Sequence, residues 1–335
     1  MAAGTGGLVM GYLEPLPFFA RPKGAARQMA RVQLQAQLKW PGAGIRLQTA
    51  LRVSEEASVF RGYRGEDPVV VKKFWDLSAR RGFVGGTTQA LCRFERLGPH
   101  PDFSVNRCLA SSGHLGLVVV SFEAGTPVDK LLNQPAANRP QILRQCCAWQ
   151  SWAGQGEIIR TALPSNLIEA EIRTVLGASA RHPDAALLAE LGNELLRMLP
   201  LLDGQPAARA PGHPDFAPRN LILRPDGGVA AVDIHLSGTF IQSRQAAIFL
   251  VSKDFQSECA NGSLLFGLDQ SEMLQFLAQS SVPEDEVNTL LIFFIGLTLL
   301  RMHSKKARRG RPMKMRRRRI RAYLNDLRQG VGIRA

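Results

Sequence analysis

The spacing of apolar and polar positions divides this chain into stretches of different character. Up to residue 44, clusters of Gly, Pro and Ala prevent sustained alternation, and the pattern predicts a loose extension carrying one helix over 25–39. From Ile45 onward, strand-length runs occur at 45–53, 58–63 and 68–74, with Gly65, Glu66 and Asp67 turning between the last two. A helix over 87–97 sets Leu91, Phe94 and Leu97 on one face. The run 115–123 (LGLVVVSFE) is a continuous apolar strand, broken by Gly125, Thr126 and Pro127. Beyond it the period becomes helical over 128–133, 139–153, 168–176 and 185–202. Two short apolar runs, 221–223 and 229–232, flank RPDGG and predict a hairpin. Helices resume near Ser243 and continue to the tail.

A strand-rich front and a helix-rich back predict an α+β chain in two lobes. The expected divisions are an extension over 1–44, a small antiparallel β-sheet lobe with one helix over 45–123, a larger mainly helical lobe over 124–304, and a tail over 305–335. Composition supports a folded body: 335 residues bury a substantial core, and 45% are hydrophobic. The apolar run 290–300 (LLIFFIGLTLL) is too short to span a bilayer and reads as a buried helix. Glu14, Pro15 and Pro17 interrupt the apolar N-terminus, which argues against a secretory signal. Five cysteines without a CxxC pair argue against a disulfide framework or a zinc site, and a cytoplasmic setting is expected.

Charge is unevenly placed. Eleven Lys and Arg residues and no acid fall within 305–321, and without them the net charge of +14 drops to +3. Ile320, Tyr323, Leu324 and Leu327 recur there at helical spacing. A cationic helix with an apolar stripe fits an anionic membrane surface, where each Lys or Arg is worth about 1 kcal/mol. On that reading 305–321 holds the protein at the periphery of the inner membrane. The alternative is a helix docked on the large lobe. Nucleic acid is disfavoured, because no aromatic residues interleave the charges to stack bases.

The segment that carries chemistry is HPDFAPRN, from His213 to Asn220, followed after the hairpin by Val232, Asp233, Ile234 and His235. Phosphoryl transfer from a nucleotide needs a carboxylate to orient the acceptor hydroxyl and take its proton. It also needs oxygen ligands that hold Mg²⁺ against the phosphates. Asp215 fits the first role. Asn220 and Asp233 flank the hairpin and fit the second. His213 is either a participant in catalysis or a packed core histidine.

HPDFAPRN resembles the HGDxxxxN catalytic loop of the aminoglycoside phosphotransferases and their choline-kinase-type relatives. The resemblance extends over about 45–250 and implies a bilobal protein-kinase-like fold that uses ATP and Mg²⁺. It casts Val69 to Lys73 as the strand whose lysine contacts the phosphates and pairs with a helix glutamate. Strand register favours Lys72 and sends Lys73 to the opposite face; Glu95 is the only acid on the 87–97 helix. Aligned on Val59, Arg52, Ser54 and Ala57 stand where kinases place loop glycines, so Ser54 and Ala57 become nucleotide-loop candidates, with Glu55 and Glu56 between them. Residues 118–123 become the hinge strand, ending at Glu123, whose backbone meets the adenine.

Two departures refine the likeness. Gln245 stands where relatives carry an Asp that braces the catalytic loop. Asp233-Ile234-His235 replaces DFG and, with 267–277, is similar to the lipopolysaccharide core heptose kinases. No APE segment follows Asp233, so the resemblance implies a sugar, glycolipid or other small-molecule hydroxyl as acceptor. The competing expectation is a catalytically inert pseudokinase acting as a scaffold or regulator.

Overall fold

A computed structural model describes residues 21–76, 78–134, 138–155, 158–255, 263–305 and 311–333. Glu14, Pro15 and Pro17 lie outside these residues, as do Cys259 and the tail residues 306–310. The chain forms two compact units. The first comprises the described residues up to Thr88 together with Arg107–Phe122. The second comprises Gln89–Asn106 and the described residues from Glu123 onward.

The first unit begins with α1 (Ala25–Lys39), then β1 (Ile45–Val53), β2 (Ala57–Arg64) and β3 (Asp67–Phe74). Helix α2 (Arg80–Arg96) starts in the first unit and ends in the second, where the chain lays down the short strand β4 (Phe103–Val105). It then returns for β5 (Cys108–Ser112) and β6 (Leu117–Ser121). The sheet order is β1-β2-β3-β6-β5, with every neighbouring pair antiparallel. Alternation decides the faces: Phe60, Val69 and Val71 point into a core that also holds Leu117 and Val119. Gly62 is required where β1 crosses β2, because a Cβ there would stand 2.4 Å from the Arg46 carbonyl oxygen.

Helix α1 falls where the pattern of 1–44 predicts one, and it packs on the sheet. Gln28, Val32, Gln35 and Ala36 form its buried face, and Val32 and Ala36 join the sheet core. Ser58 Oγ donates to Gln28 Oε1 (2.5 Å), and Trp75 Nε1 donates to Ser58 Oγ (2.8 Å). Gln33 clamps the β1 backbone, donating to Ile45 O and accepting from Leu47 N.

The second unit continues through β7 (Thr126–Pro127), α3 (Val128–Leu132), α4 (Arg139–Ala153), β8 (Ile159–Ala162), α5 (Ser165–Ala178) and α6 (Ala185–Met198). Strand β9 (Pro206–Pro211) leads into the HPDFAPRN segment, and β10 (Leu221–Leu223) and β11 (Val229–Ala231) form the expected hairpin. The hairpin sits in the sheet β4-β11-β10-β7, and β12 (Thr239–Ile241) joins β9 and β8 in a second small sheet. Helix α7 (Gln242–Phe255) follows, then the two-residue strands β13 (Leu264–Leu265) and β14 (Leu268–Asp269), and α8 (Gln270–Leu277). Helix α9 (Glu284–Glu286) passes through a π-helical turn (Val287–Leu291) into α10 (Ile292–Ser304), and α11 (Arg311–Arg328) closes the fold.

Glu284–Ser304 is long and apolar enough to cross a membrane by length and composition, but Leu290–Leu300 is buried inside this unit. The basic tail is docked in the same way. Ile320, Tyr323 and Leu324 are buried, and Tyr323 Oη donates to Ile292 O (3.1 Å). Arg319 is 1% exposed and donates to Asp254 and to Gly267 O; Arg317 pairs with Asp184, and Arg328 with Glu190. Burying each such apolar side chain is worth about 1.5–3 kcal/mol. The protein interior takes most of the apolar stripe that the membrane reading of 305–321 assigned to lipid, as the alternative of a helix docked on the large lobe expects.

Candidate active site

Strand β9 delivers the chain to Gly212 and His213 beneath a column of rings. Trp149 of α4 stacks on Phe216 (5.8 Å between centroids), Phe216 on Phe249, and Phe249 on Phe276. This apolar floor leaves little freedom to the residues between Gly212 and Asn220. His213 is fully buried on it and bridges two parts of the site: Asp215 N donates to its Nδ1 (3.1 Å), and its Nε2 meets Val232 O (2.8 Å). Since Nδ1 accepts, Nε2 carries the proton. Burial pushes the imidazole down to about 4, against the smaller opposing pull of the Val232 carbonyl and nearby acids, so the ring is neutral at physiological pH. Both nitrogens are committed to backbone. His213 thereby ties the Asp215 backbone to the far side of the hairpin.

The loop then turns through Pro218–Asn220, a single 3₁₀ turn, before β10. Asn220 Nδ2 donates to Asp215 O (2.8 Å) and to Asp215 Oδ2 (3.1 Å). That leaves the Asn220 Oδ1 as the acceptor end of the amide. Val232 ties the far side of the hairpin to the loop twice, donating its N–H to Asn220 O (2.9 Å) and accepting from His213. The next residue, Asp233, has φ 65°, one of two positive-φ non-glycine residues among those described. Asp tolerates this region better than most side chains, and such conformations concentrate at functional sites. Asp215, Asn220 and Asp233 thus converge on one loop and hairpin of the second unit. Asn220 and Asp233 offer the hard oxygen donors that suit Mg²⁺.

Several solved structures share this fold. Aminoglycoside phosphotransferase APH(4)-Ia, as a thermostable mutant in its apo form, is similar with a TM-score of 0.60 at 13% identity, over 87% of this chain and 98% of that one. Choline kinase LicA from Streptococcus pneumoniae gives 0.55 at 13% identity, covering 90% and 99%. Plasmodium vivax ethanolamine kinase Pv091845 gives 0.54 at 9%, covering 92% and 91%. This chain has the protein-kinase-like fold. No protein-family model matches the sequence, and no curated protein matches it.

Of the remaining candidates, Lys72, Ser54 and Ala57 lie in the first unit and Glu95 and Glu123 in the second. Lys73 shares the core face with Val69 and Val71. Its Nζ donates to Leu115 O and lies 5.0 Å from the Trp75 ring. Burial, helped by the charge of Arg80, pulls its ammonium down to about 8. Lys72 lies on the opposite face with Val70, in register with Val59 and Val118. The β1–β2 turn is closed by its own hydrogen bonds. Ser54 N donates to Ala57 O (2.9 Å), Ala57 N to Ser54 Oγ (3.1 Å), and Ser54 Oγ to Ala57 O (2.7 Å). The amides of Ser54 and Ala57 are both bonded within this turn.

Helix α2 starts seven residues before the predicted Thr87, and Glu95 is exposed in its last turn. The strand ending at Ser121 stops two residues short of Glu123, which begins the later segment of the second unit. Gln245 lies where the sequence places the loop brace: a Cβ on Gly212 would stand 2.5 Å from its Nε2, and Gln150 Nε2 donates to its Oε1 (3.4 Å). One residue escaped the sequence reading. Arg219, four residues after Asp215, donates to Asp215 Oδ2 at 2.5 Å. Its position inside the motif was the signal that would have found it.

Proposed function

We propose that this protein is an ATP- and Mg²⁺-dependent kinase that phosphorylates a hydroxyl group of a sugar or other small metabolite. The observation that carries the reading is the convergence of Asp215, Asn220 and positive-φ Asp233 on one loop and hairpin. In this reading Asp215 orients the acceptor hydroxyl and takes its proton as the new O–P bond forms and the γ-phosphorus separates from the bridging oxygen of departing ADP. Asn220 and Asp233 hold Mg²⁺, which when bound neutralises charge developing on the phosphates. Lys72 contacts the phosphates and the chain near Glu123 meets the adenine. The similar structures support it by their own ligands and acceptors: choline kinase and ethanolamine kinase by name, and a variant of APH(4)-Ia as a ternary complex with ADP and hygromycin B.

The test is thermal unfolding with ATP or GTP, each with and without Mg²⁺. A nucleotide at one hundred times its Kd stabilises the folded state by about 2.7 kcal/mol, a shift of a few degrees. The account expects that shift for Mg·ATP, and no shift with any nucleotide would sink it. A second reading, an inert pseudokinase scaffold, is favoured by one observation, the closed Ser54–Ala57 turn with Glu55 and Glu56 at its tip. It predicts nucleotide binding, or none, with no phosphoryl transfer to any hydroxyl compound.

A further inference from the structure

Outside the HPDFAPRN loop, the second unit holds a group of side chains that the kinase reading does not use. His182, Asp184 and His303 each offer one metal-ligating atom, and these atoms all lie within 4.8 Å of one another. His182 and Asp184 flank Pro183 in the turn before α6, and His303 lies in the last turn of α10. The rings of His182 and His303 are 5.4 Å apart at their centroids, and His303 Nε2 meets Asp184 Oδ2 at 2.8 Å. His303 is fully buried, Asp184 is 9% exposed, and His182 is partly exposed at the rim.

Two features set this group apart from an ordinary core contact. The tripeptide HPD occurs at 100–102, 182–184 and 213–215, and each time the Asp N–H donates to the His Nδ1 at 3.1 Å. Among the described residues, only the copy at 182–184 joins a further ligating side chain in such a group. The other ring nitrogen of His213 bonds Val232 O, but His182 Nε2 is buried and has no hydrogen-bond partner. Asp184 also stands at the N-cap of α6, where an Asp side chain ordinarily accepts from the first turn, yet it makes no capping bond. Its carboxylate turns instead to His303 through Oδ2 and to Arg317 through Oδ1.

Two imidazole nitrogens and one carboxylate oxygen suit a divalent transition ion such as Zn²⁺. They suit Mg²⁺ and Ca²⁺ poorly, since those ions take oxygen ligands. Arg317 sharpens the choice, because by bonding Oδ1 it offsets the Asp184 charge and leaves the ion to be held mainly by nitrogen. A hydrogen bond on the outer oxygen is also the kind of support that fixes a ligating carboxylate. Zinc ligands about 2.0–2.2 Å from the ion stand about 3.3–3.5 Å apart in a tetrahedron, so the group has to close by up to about 1.5 Å. His182, on a turn and partly exposed, is the member able to move. Both rings bind through Nε2 as neutral imidazoles with their proton shifted to Nδ1. For His182 this exchanges the contact with the Asp184 N–H for the bond to the metal.

We propose that His182, Asp184 and His303 form a binding site for an ion of the zinc class, with water as the fourth ligand. The ion clips the turn before α6 to the end of α10 and, through Arg317, to α11. The cysteines take no part in it. None of its residues belongs to the loop or hairpin of the kinase reading, so the two stand or fall separately.

The experiment is titration of Zn²⁺ into tag-free, metal-stripped, full-length protein, read by calorimetry and by thermal unfolding, with and without excess Mg²⁺. Wild type, His182→Gln and His100→Gln are compared. The expected result is one Zn²⁺ per chain and a raised unfolding temperature in wild type and in His100→Gln, with excess Mg²⁺ leaving the affinity unchanged. His182→Gln should lose at least about tenfold in Zn²⁺ affinity, the low end of what removal of even an outer partner costs. Nitrogen-15 spectra of the wild-type histidine rings need no variant: zinc should move the proton of two rings from Nε2 to Nδ1. Wild type that binds no Zn²⁺, equal affinity in folded His182→Gln, an equal loss in His100→Gln, or ring spectra unchanged by saturating zinc would each overturn the proposal.

Discussion

Asp215 is gripped from two directions, by the Asn220 amide and by the Arg219 guanidinium, while the neutral ring of His213 holds its backbone N–H. Everything around the carboxylate fixes where it points, and 39% side-chain exposure keeps it reachable. Replacing it by Asn preserves shape and removes the base. Turnover on the true acceptor should fall about 10²–10⁴-fold while Mg·ATP affinity stays near wild type. Initial-rate kinetics beside nucleotide titration check this, and a parallel loss of ATP binding would reassign Asp215 to the metal. At this scale the motif was legible because HPDFAPRN is contiguous, with its chemistry carried by spacing alone. The bridge that His213 makes was not, because its second partner, Val232, lies nineteen residues away across the hairpin. The Ser54–Ala57 turn was missed for the opposite reason. Its bonds are so local that a short side chain closes the loop that a glycine would have left open.

Helix α11 shows what an amphipathic pattern does and does not say. The stripe Ile320, Tyr323, Leu324 was visible in the sequence and requires a cover, but periodicity cannot name the cover. In the structure the second unit provides it, and buried ions fix the seat. Lys253 pairs with Asp254 and Glu272, Arg139 with Glu272, and Arg319 with Asp254. Burial alone would raise the Glu272 carboxyl, but Arg139 and Lys253 outweigh it and hold the group down at about 2. Two neighbouring arginines should therefore behave differently. Arg319→Gln uncovers a buried Asp254 and should cost about 3 kcal/mol, the low end for a broken buried pair because Lys253 remains. Arg318 is exposed, and Arg318→Gln should change stability by less than about 0.5 kcal/mol. Chemical denaturation of both variants decides it, and equal effects would mean that the helix is not docked.

Element boundaries follow the same logic. The helices 25–39 and 139–153 and the strand 45–53 coincide with α1, α4 and β1 because their apolar spacing runs to both ends. Helix α2 starts early despite Gly82, Gly85 and Gly86, whose low helix propensity hid its first two turns from the sequence. Strand β9, Pro206–Pro211, has no place in the sequence-based elements and is formed by pairing with β8 and β12.

For the whole molecule, the sequence anticipated two bodies but not how the chain is shared between them. Residues 89–106 belong with the helical unit, and 107–122 return to the sheet through pairing with β3, a non-local exchange that no local pattern announces. The candidate set divides with it: Lys72 stands on the sheet of the first unit, and Asp215, Asn220 and Asp233 stand on the loop and hairpin of the second. The central claim is that the second group builds a magnesium-dependent nucleotide site. Calorimetric titration of ATP into wild-type protein and Asp233→Ala, with and without Mg²⁺, addresses it directly, once circular dichroism shows both folded. The account predicts that Mg²⁺ strengthens ATP binding to wild type and has no such effect on Asp233→Ala. An identical magnesium dependence in the two folded proteins would contradict it.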